Sequence, residues 1–458
     1  MKPLWTSAQV QKATNGKLLG VETWESSGLS LDTRTLVPGE FYIAIRGESL
    51  DGHVFVADAF KKGAVAALVD HIPEGLSPDA ALVLVSNTDD ALLSLGSYAR
   101  HRLKGQVIGI TGSAGKTSTK DMLALCLSEQ GSTHASGKSF NNKWGVPFTL
   151  AQCDPDSKYV VLEMGMSHEG ELSRLTQVAR PHVAIITTIA PAHIENFHSI
   201  EGIAHAKAEI FEGTDKKGVA LINGDIPQTD LLVHLAEKEK IQTILLFGEK
   251  SHCKTRLLTY KPTATAVEIT ADILGEKVSY SLQTYGKHFA LNSLTVLSTV
   301  KVLGGDLRKA VSSLSHFEAS DRRGKSYQLK NNIILVDESY NANPLSMRAA
   351  LQSFIERPTP GRKIIVLGDM RELGPDSPKF HQDLETPVLE GNFDKVYTFG
   401  TEMKALHSKI NSVHYDEMED LIQNILKDIH PNDAIMIKSS KSIKLDKVVQ
   451  KILDIFKY

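Results

Sequence analysis

The apolar run Val107-Ile108-Gly109-Ile110 leads directly into Thr111-Gly112-Ser113-Ala114-Gly115-Lys116-Thr117-Ser118. A strand, a glycine turn and a Lys-Thr pair opening a helix form a phosphate-binding loop, which commits the chain here to a strand–loop–helix unit. The common G-x-x-x-x-G-K-[ST] spacing wants a glycine where Ile110 stands, so this turn is a shortened one. Backbone N–H groups of residues 112–117 would face phosphate oxygens at the helix N-terminus. With ATP in the loop, Lys116 would reach the β- and γ-phosphates and the Thr117 hydroxyl would ligate Mg²⁺. The plain alternative is an ordinary turn with an exposed lysine.

The same alternation of apolar runs and helical patterns continues on both sides, in three sections. In residues 1–104, runs at 41–45, 64–69 and 81–85 lie among helical patterns at 52–62 and 89–103. In residues 105–318, apolar strands recur at 107–110, 158–164, 182–188, 218–222 and 243–247. Alternating, antiparallel-like strands follow over 256–283, then a helix over 288–304. In residues 319–458, the runs 333–336, 364–367, 396–399 and 434–437 read as buried strands. Strands alternating with helices imply parallel sheets with right-handed crossovers, so the fold class is α/β in three domains.

Bulk properties narrow the partners. The 458 residues have a formal net charge of -3 and no dense basic block, which argues against nucleic acid. Three cysteines without a close pair fit a reducing compartment and give no zinc framework. No apolar leader and no run of about 18 apolar residues are present, so a cytoplasmic protein without a membrane span is expected.

Ligands in open α/β sheets bind beyond the carboxyl ends of strands. Glu163 ends one strand and offers a hard oxygen ligand for Mg²⁺, or is a solvated glutamate. His193, in the loop after 182–188, could bind metal or orient phosphate, or be merely exposed. In Ile200–Phe211 the helical stripe is Ile200, Ile203, Ile210 and Phe211, and Lys207 falls on it. An inward lysine is rare unless paired. It is a snorkelling side chain, half of a buried ion pair, or a neutral amine able to take up CO₂ as a metal-binding carbamate. His288 and Asn292 share a helix face, and Asn292 suits an adenine edge or a helix end. Asp337, Tyr340, Asn341 and Asn343 crowd one turn after a strand, as turn chemistry or as one wall of a site.

These residues together resemble the Mur ligase family of ATP-dependent amide-forming ligases. Thr-Gly-x-x-Gly-Lys-Thr is similar to that family's own phosphate loop. Ser30-Leu31-Asp32-Thr33-Arg34, then Arg46-Gly47-Glu48 and Asp51-Gly52-His53, resemble an N-terminal UDP-binding section. The segment 138–147, Lys-Ser-Phe-Asn-Asn-Lys-Trp-Gly-Val-Pro, resembles an asparagine-rich substrate segment. Residues 339–347 and 367–374, with His381, resemble the C-terminal section. Where the family often has Lys-Gly-Ser-Arg, this chain reads Lys438-Ser439-Ser440-Lys441.

The resemblance implies a small UDP-binding domain, a central P-loop ATPase domain and a C-terminal Rossmann-like domain. It implies UDP-N-acetylmuramoyl-tripeptide and D-alanyl-D-alanine as substrates, ATP and Mg²⁺ as cofactors, and a monomer. Thr111 to Ser118, Asn292, Asp337, Tyr340 and Asn341 would hold ATP. Arg323, or its neighbour Arg322, would meet the γ-phosphate. Thr117, Glu163, His193 and a carbamylated Lys207 would hold the metal. Ser30, Thr33, Arg34, Arg46, Asn141, Asn142 and Asn343 would contact substrate. The rivals are a relative using a different amine, and a P-loop kinase or NTPase. A guanine-type Asn-Lys-x-Asp motif is absent, since the one Asn-Lys pair, Asn142-Lys143, precedes Trp144-Gly145.

Overall fold

Neighbouring residues of a strand point to opposite faces, so a strand covered by helices on both sides must be apolar at every position. The third section shows this. Ile364 and Val366 enter one core with Ile435, Ile437, Leu445 and Ile452. Ile365 and Leu367 enter the opposite core with Met436, Met347, Phe354 and Leu384. The six-stranded sheet between these layers runs in the order Lys325–Leu329, Ile333–Glu338, Ala434–Lys438, Lys363–Gly368, Lys395–Phe399, Val413–Tyr415. Only the first pair is antiparallel, with Lys325 opposite Asp337.

The structure is a computed structural model and describes residues 2–47, 50–137, 140–191, 194–197 and 199–457. By packing, the residues fall into two compact units. One comprises Met1–Gly109, Gly131–Ala184 and Glu209–Gly218; the other comprises Ile110–Gln130, Ile185–Ala208 and Val219–Tyr458.

The nine-stranded sheet has the order Glu276–Leu282, Val267–Ile273, Thr255–Pro262, Thr243–Gly248, Val219–Asn223, Val183–Ile186, Gln106–Thr111, Tyr159–Glu163, Thr133–Ala135. Its first three strands are antiparallel to one another, as the alternating sequence over 256–283 predicts. The order reverses at Gln106–Thr111. The chain goes first to the Tyr159–Glu163 side and later to the Val183–Ile186 side. The glycine loop follows the carboxyl end of Gln106–Thr111, the end at which ligands of open α/β sheets bind.

Near the N-terminus a five-stranded sheet runs Lys17–Leu19, Leu82–Leu84, Ala66–Val69, Glu40–Ile43, Gly28–Ser30, antiparallel only at the first pair. Its core of Trp5, Phe41, Ile43, Leu68 and Leu92 includes Phe148 and Ala151 of the helix Gly145–Gln152. Trp5 Nε1 donates to the Ala151 carbonyl at 2.8 Å. Among the described residues no helix is long and apolar enough to cross a membrane.

Candidate active site

The glycine loop is held from behind. Gly112 has φ 149 and Gly115 has φ 82, both in the region that side chains avoid. A Cβ on Gly112 would collide with the Thr187 hydroxyl, and one on Gly115 would sit 2.9 Å from Asn292 Oδ1. Thr187 Oγ1 donates to the carbonyls of Ala114 (2.5 Å) and Thr111 (3.2 Å). Ser113 Oγ donates to the Ala190 carbonyl at 3.0 Å. Asn292, 6% exposed, donates its Nδ2 to Ser118 Oγ at 2.9 Å, and Ser118 Oγ donates to the Gly115 carbonyl. Asn292 therefore braces the loop itself.

The helix Lys116–Ser128 starts at Gly115 with no side-chain cap, which leaves its positive end to an anion. Lys116 Nζ folds back to donate to the Gly112 carbonyl at 2.6 Å. The Thr111 hydroxyl is buried and has no hydrogen-bond partner among the described residues. A backbone cradle that no Cβ could enter, with a lysine across it, fits a nucleotide phosphate.

Lys207 lies on the helix Ile200–Ala208 and is 3% exposed, which removes the snorkelling alternative. No carboxylate is within ion-pair distance among the described residues. Burial holds its pKa well below the usual lysine value, and the Lys116 charge adds to this. Glu163, 6% exposed, ends the strand Tyr159–Glu163 and accepts from Asn141 Nδ2 at 2.9 Å. The Gly165 N–H donates to the Asn141 carbonyl at 2.7 Å, so Asn141 is clamped at both ends. Sequence reasoning placed Asn141 with substrate and missed its hold on Glu163. The Glu163 carboxylate is a hard oxygen donor of the kind Mg²⁺ prefers, so its chemistry fits that ion. His193 lies outside the described residues, as do Glu48, Lys138 and Ser139 of the quoted motifs.

In the third section the adjacent arginines part. Arg322, at φ 64, pairs with Asp446 at 2.5 Å. Arg323 lies 3.8 Å above the Tyr340 ring centroid and has no carboxylate partner among the described residues. The turn between them is tied by the Tyr340 N–H donating to the Arg322 carbonyl at 3.1 Å. Asp337, 3% exposed, accepts from the Ser339 N–H and hydroxyl. Burial raises its pKa and the Ser339 bonds partly offset the rise. Asn343 caps the helix Pro344–Glu356, accepting from the Ser346 N–H at 2.8 Å. Lys438, which sequence reasoning left without a role, is buried below this turn. Its Nζ donates to Glu338 Oε2 (3.3 Å) and to the Asn341 carbonyl (3.0 Å). The signal for it was a lysine closing an otherwise apolar strand.

Of the residues expected at the UDP end, Ser30 Oγ donates to the Asp32 carbonyl, and Thr33 is buried. Arg34 forks onto Asp32, whose pKa it lowers. Arg46 donates to Asp70 Oδ1 at 2.9 Å. Asn142 accepts from the N–H groups of Trp144 and Gly145 at the start of Gly145–Gln152.

Comparison with known proteins gives the family. The Mur ligase middle domain matches residues 110–300, and the Mur ligase glutamate ligase domain matches residues 322–441. The chain is 33% identical to the UDP-N-acetylmuramoyl-tripeptide–D-alanyl-D-alanine ligase of Rickettsia prowazekii, over 97% of this chain and 99% of that one. It is 32% identical to the ligase of the same name from Bacillus subtilis, over 93% of each. A crystal structure of MurF from Acinetobacter baumannii superposes with a TM-score of 0.87 at 27% identity, covering 99% of both chains. The two matched domains, with relatives above 30% identity over nearly the whole chain, show that the chain belongs to the Mur ligase family.

Proposed function

We propose that this chain joins D-alanyl-D-alanine to UDP-N-acetylmuramoyl-tripeptide, cleaving ATP to ADP and phosphate, in the synthesis of peptidoglycan precursors. The observation that carries this reading is the end-to-end identity with ligases of that name. The expected division into residues 1–104, 105–318 and 319–458 assigns the UDP end, ATP and the incoming dipeptide to successive sections. The reading places the enzyme in the cytoplasm as a monomer.

An amine cannot usefully attack a carboxylate, because oxide is a hopeless leaving group. A carboxylate oxygen of the tripeptide therefore attacks the γ-phosphorus, and the β,γ P–O bond breaks as ADP leaves. The dipeptide amine then adds to the acyl carbon of the resulting acyl phosphate. The tetrahedral adduct collapses by breaking its C–O bond to phosphate, which departs with the amine's proton. Loop amides 112–117 and Lys116 would hold the β- and γ-phosphates. Arg323 would swing from the Tyr340 face to the transferring group. Asp337, Tyr340, Asn341 and Asn343 would frame ATP and the dipeptide, with Asn292 at the adenine end or bracing the loop. Thr117, Glu163, His193 and carbamylated Lys207 would hold Mg²⁺, which when bound neutralises phosphate charge. Asn141 would orient Glu163. Ser30, Thr33, Arg34, Arg46 and Asn142 would meet the UDP-muramoyl part.

The test is phosphate release with all three substrates and with each omitted in turn. Release and the joined product should appear only with all three. A kinase would leave a phosphorylated product without free phosphate, and ATP consumption at full speed without dipeptide would end the reading.

The two arginines separate by variant. Arg323→Ala should lower kcat by about 10²–10³-fold, as loss of a transition-state charge partner does. Arg322→Ala should mainly release Asp446, a half-exposed pair worth about 0–1 kcal/mol, read by thermal unfolding. A larger kcat loss in Arg322→Ala would reverse the assignment.

A further inference from the structure

Carbonyls of the glycine loop already have donors, and one side chain from another strand end takes two of them. Thr187, 3% exposed, follows the strand Val183–Ile186, the sheet neighbour of Gln106–Thr111. Its Oγ1 donates to the Ala114 carbonyl at 2.5 Å and shares the proton with the Thr111 carbonyl at 3.2 Å. The Lys116 ammonium takes the Gly112 carbonyl, and the Thr119 N–H and the Ser118 hydroxyl take that of Gly115. The Thr187 N–H donates to the Thr111 carbonyl at 3.0 Å and the Ser113 N–H to the Thr188 carbonyl at 2.9 Å, so the pairing of the two strands runs on into the loop.

We infer that Thr187 is a positioning residue for the phosphate loop: its hydroxyl fixes the 114–115 peptide so that the Gly115 N–H faces the nucleotide's phosphates; this rests on the ATP reading above. A trans peptide is planar, and its C=O and N–H point in opposite directions. Holding the Ala114 carbonyl toward Thr187 therefore turns the Gly115 N–H to the other side, at the uncapped start of Lys116–Ser128. The restraint acts where the chain is loosest. Gly115 stands at φ 82, and glycine reaches either sign of φ with equal ease, so nothing in its own sterics holds this peptide. Gly112 completes the fit, because the Thr187 hydroxyl occupies the space that a side chain at 112 would need.

Thr187 is itself held from the next strand. Asn223, 7% exposed, ends Val219–Asn223, and its Nδ2 donates to the Thr187 carbonyl at 2.9 Å. Asn223 Oδ1 accepts from the Asp225 N–H at 2.9 Å, and the Asn223 carbonyl accepts from the Thr229 hydroxyl at 2.9 Å. Both ends of that amide are thus engaged, and three adjacent strand ends are laced in series, from Asn223 to Thr187 to the loop. A loop set in advance spares the ordering that a loose one would undergo when phosphate arrives. The rival reading is a buried hydroxyl that only fills space.

The test compares the binding of ADP and AMP by calorimetry in wild type, Thr187→Val, Thr187→Ser and Asn223→Ala. AMP lacks the β-phosphate that the loop would hold, so it reports nucleotide binding without the loop. Thr187→Val keeps the shape and removes the donor, and should weaken ADP about 10-fold, the effect of one charge-assisted hydrogen bond, with AMP unmoved. Thr187→Ser should keep most of the ADP affinity. Asn223→Ala leaves the hydroxyl in place and loosens the carbonyl behind it, and should show a smaller loss, again confined to ADP. Thr187→Val that binds ADP as wild type does overturns the proposal. So does an equal loss for ADP and AMP in either the Thr187→Val or the Asn223→Ala protein, or a serine variant no better than the valine one. Wild type that binds ADP no better than AMP would refute the ATP reading instead.

Discussion

Lys116→Ala turns over at least about 10³-fold more slowly than the wild type while its thermal unfolding is unchanged. The two halves of that expectation have separate causes. Lys116 is the first residue of the helix Lys116–Ser128, where a cation opposes the helix dipole and where alanine is the better helix former. Helix stability therefore gives no reason for a lysine there. Its Nζ is held by the Gly112 carbonyl at 2.6 Å, which keeps the charge folded over the loop instead of extended into solvent. A phosphate entering the loop would offer a stronger, charge-assisted partner at the same place. Lys116→Arg should also fail, because a planar fork does not replace a point charge inside a tight turn. Steady-state phosphate release at saturating ATP, acceptor and dipeptide checks this, with nucleotide binding measured alongside. An alanine variant that turns over at the wild-type rate removes the loop from the mechanism.

The sequence made parts of this fold legible because burial leaves a periodic trace. The strand Ile333–Glu338 was readable because helices cover both of its faces, and Ile333 and Leu335 are buried. Its edge partner Lys325–Leu329 was not, since an edge strand carries polar residues and Lys325 and Tyr327 keep partial exposure. The three-residue strands Thr133–Ala135 and Val413–Tyr415 were too short to show a period. Lys207 was legible as an inward lysine because it broke the stripe set by Ile203 and Ile210. Its lack of a carboxylate partner was not legible, because that depends on every element packed around it. Asn141 and Glu163 lie on different elements 22 residues apart, so only the folded chain shows the hydrogen bond between them. Arg322 and Arg323 are equivalent as letters. The left-handed backbone at Arg322 turns one toward Asp446 and the other onto Tyr340. The N-cap roles of Asn142 and Asn343 were hidden for a related reason: a side-chain amide can serve a helix end and a substrate with different atoms.

Lys207→Ala is expected to lose about 10²–10³-fold in kcat, in line with removal of a group that serves the reacting charge. Added formate, acetate or propionate should restore part of it. The argument starts from burial. An ammonium at 3% exposure, with no carboxylate partner among the described residues and with the Lys116 charge nearby, is disfavoured, so the amine form is populated far below the usual lysine pKa. A neutral amine adds to CO₂, forming an N–C bond and releasing one proton. The product is an anion where a cation was costly, and its oxygens suit Mg²⁺. A small carboxylate diffusing into the space left by alanine would supply the same charge and the same oxygens. The carbamate has a readout independent of turnover: a ¹³C resonance in wild type equilibrated with ¹³C-bicarbonate, absent from Lys207→Ala. Stability gives a second one. In CO₂-stripped protein the unfolded chain binds the lysine proton more readily than the folded chain. Unfolding free energy therefore rises with pH from the depressed folded-state pKa up to the usual lysine value, and Lys207→Met should flatten that rise. Full activity in Lys207→Ala, or a wild-type spectrum lacking the carbamate signal, would leave Lys207 as a buried lysine with no part in metal binding.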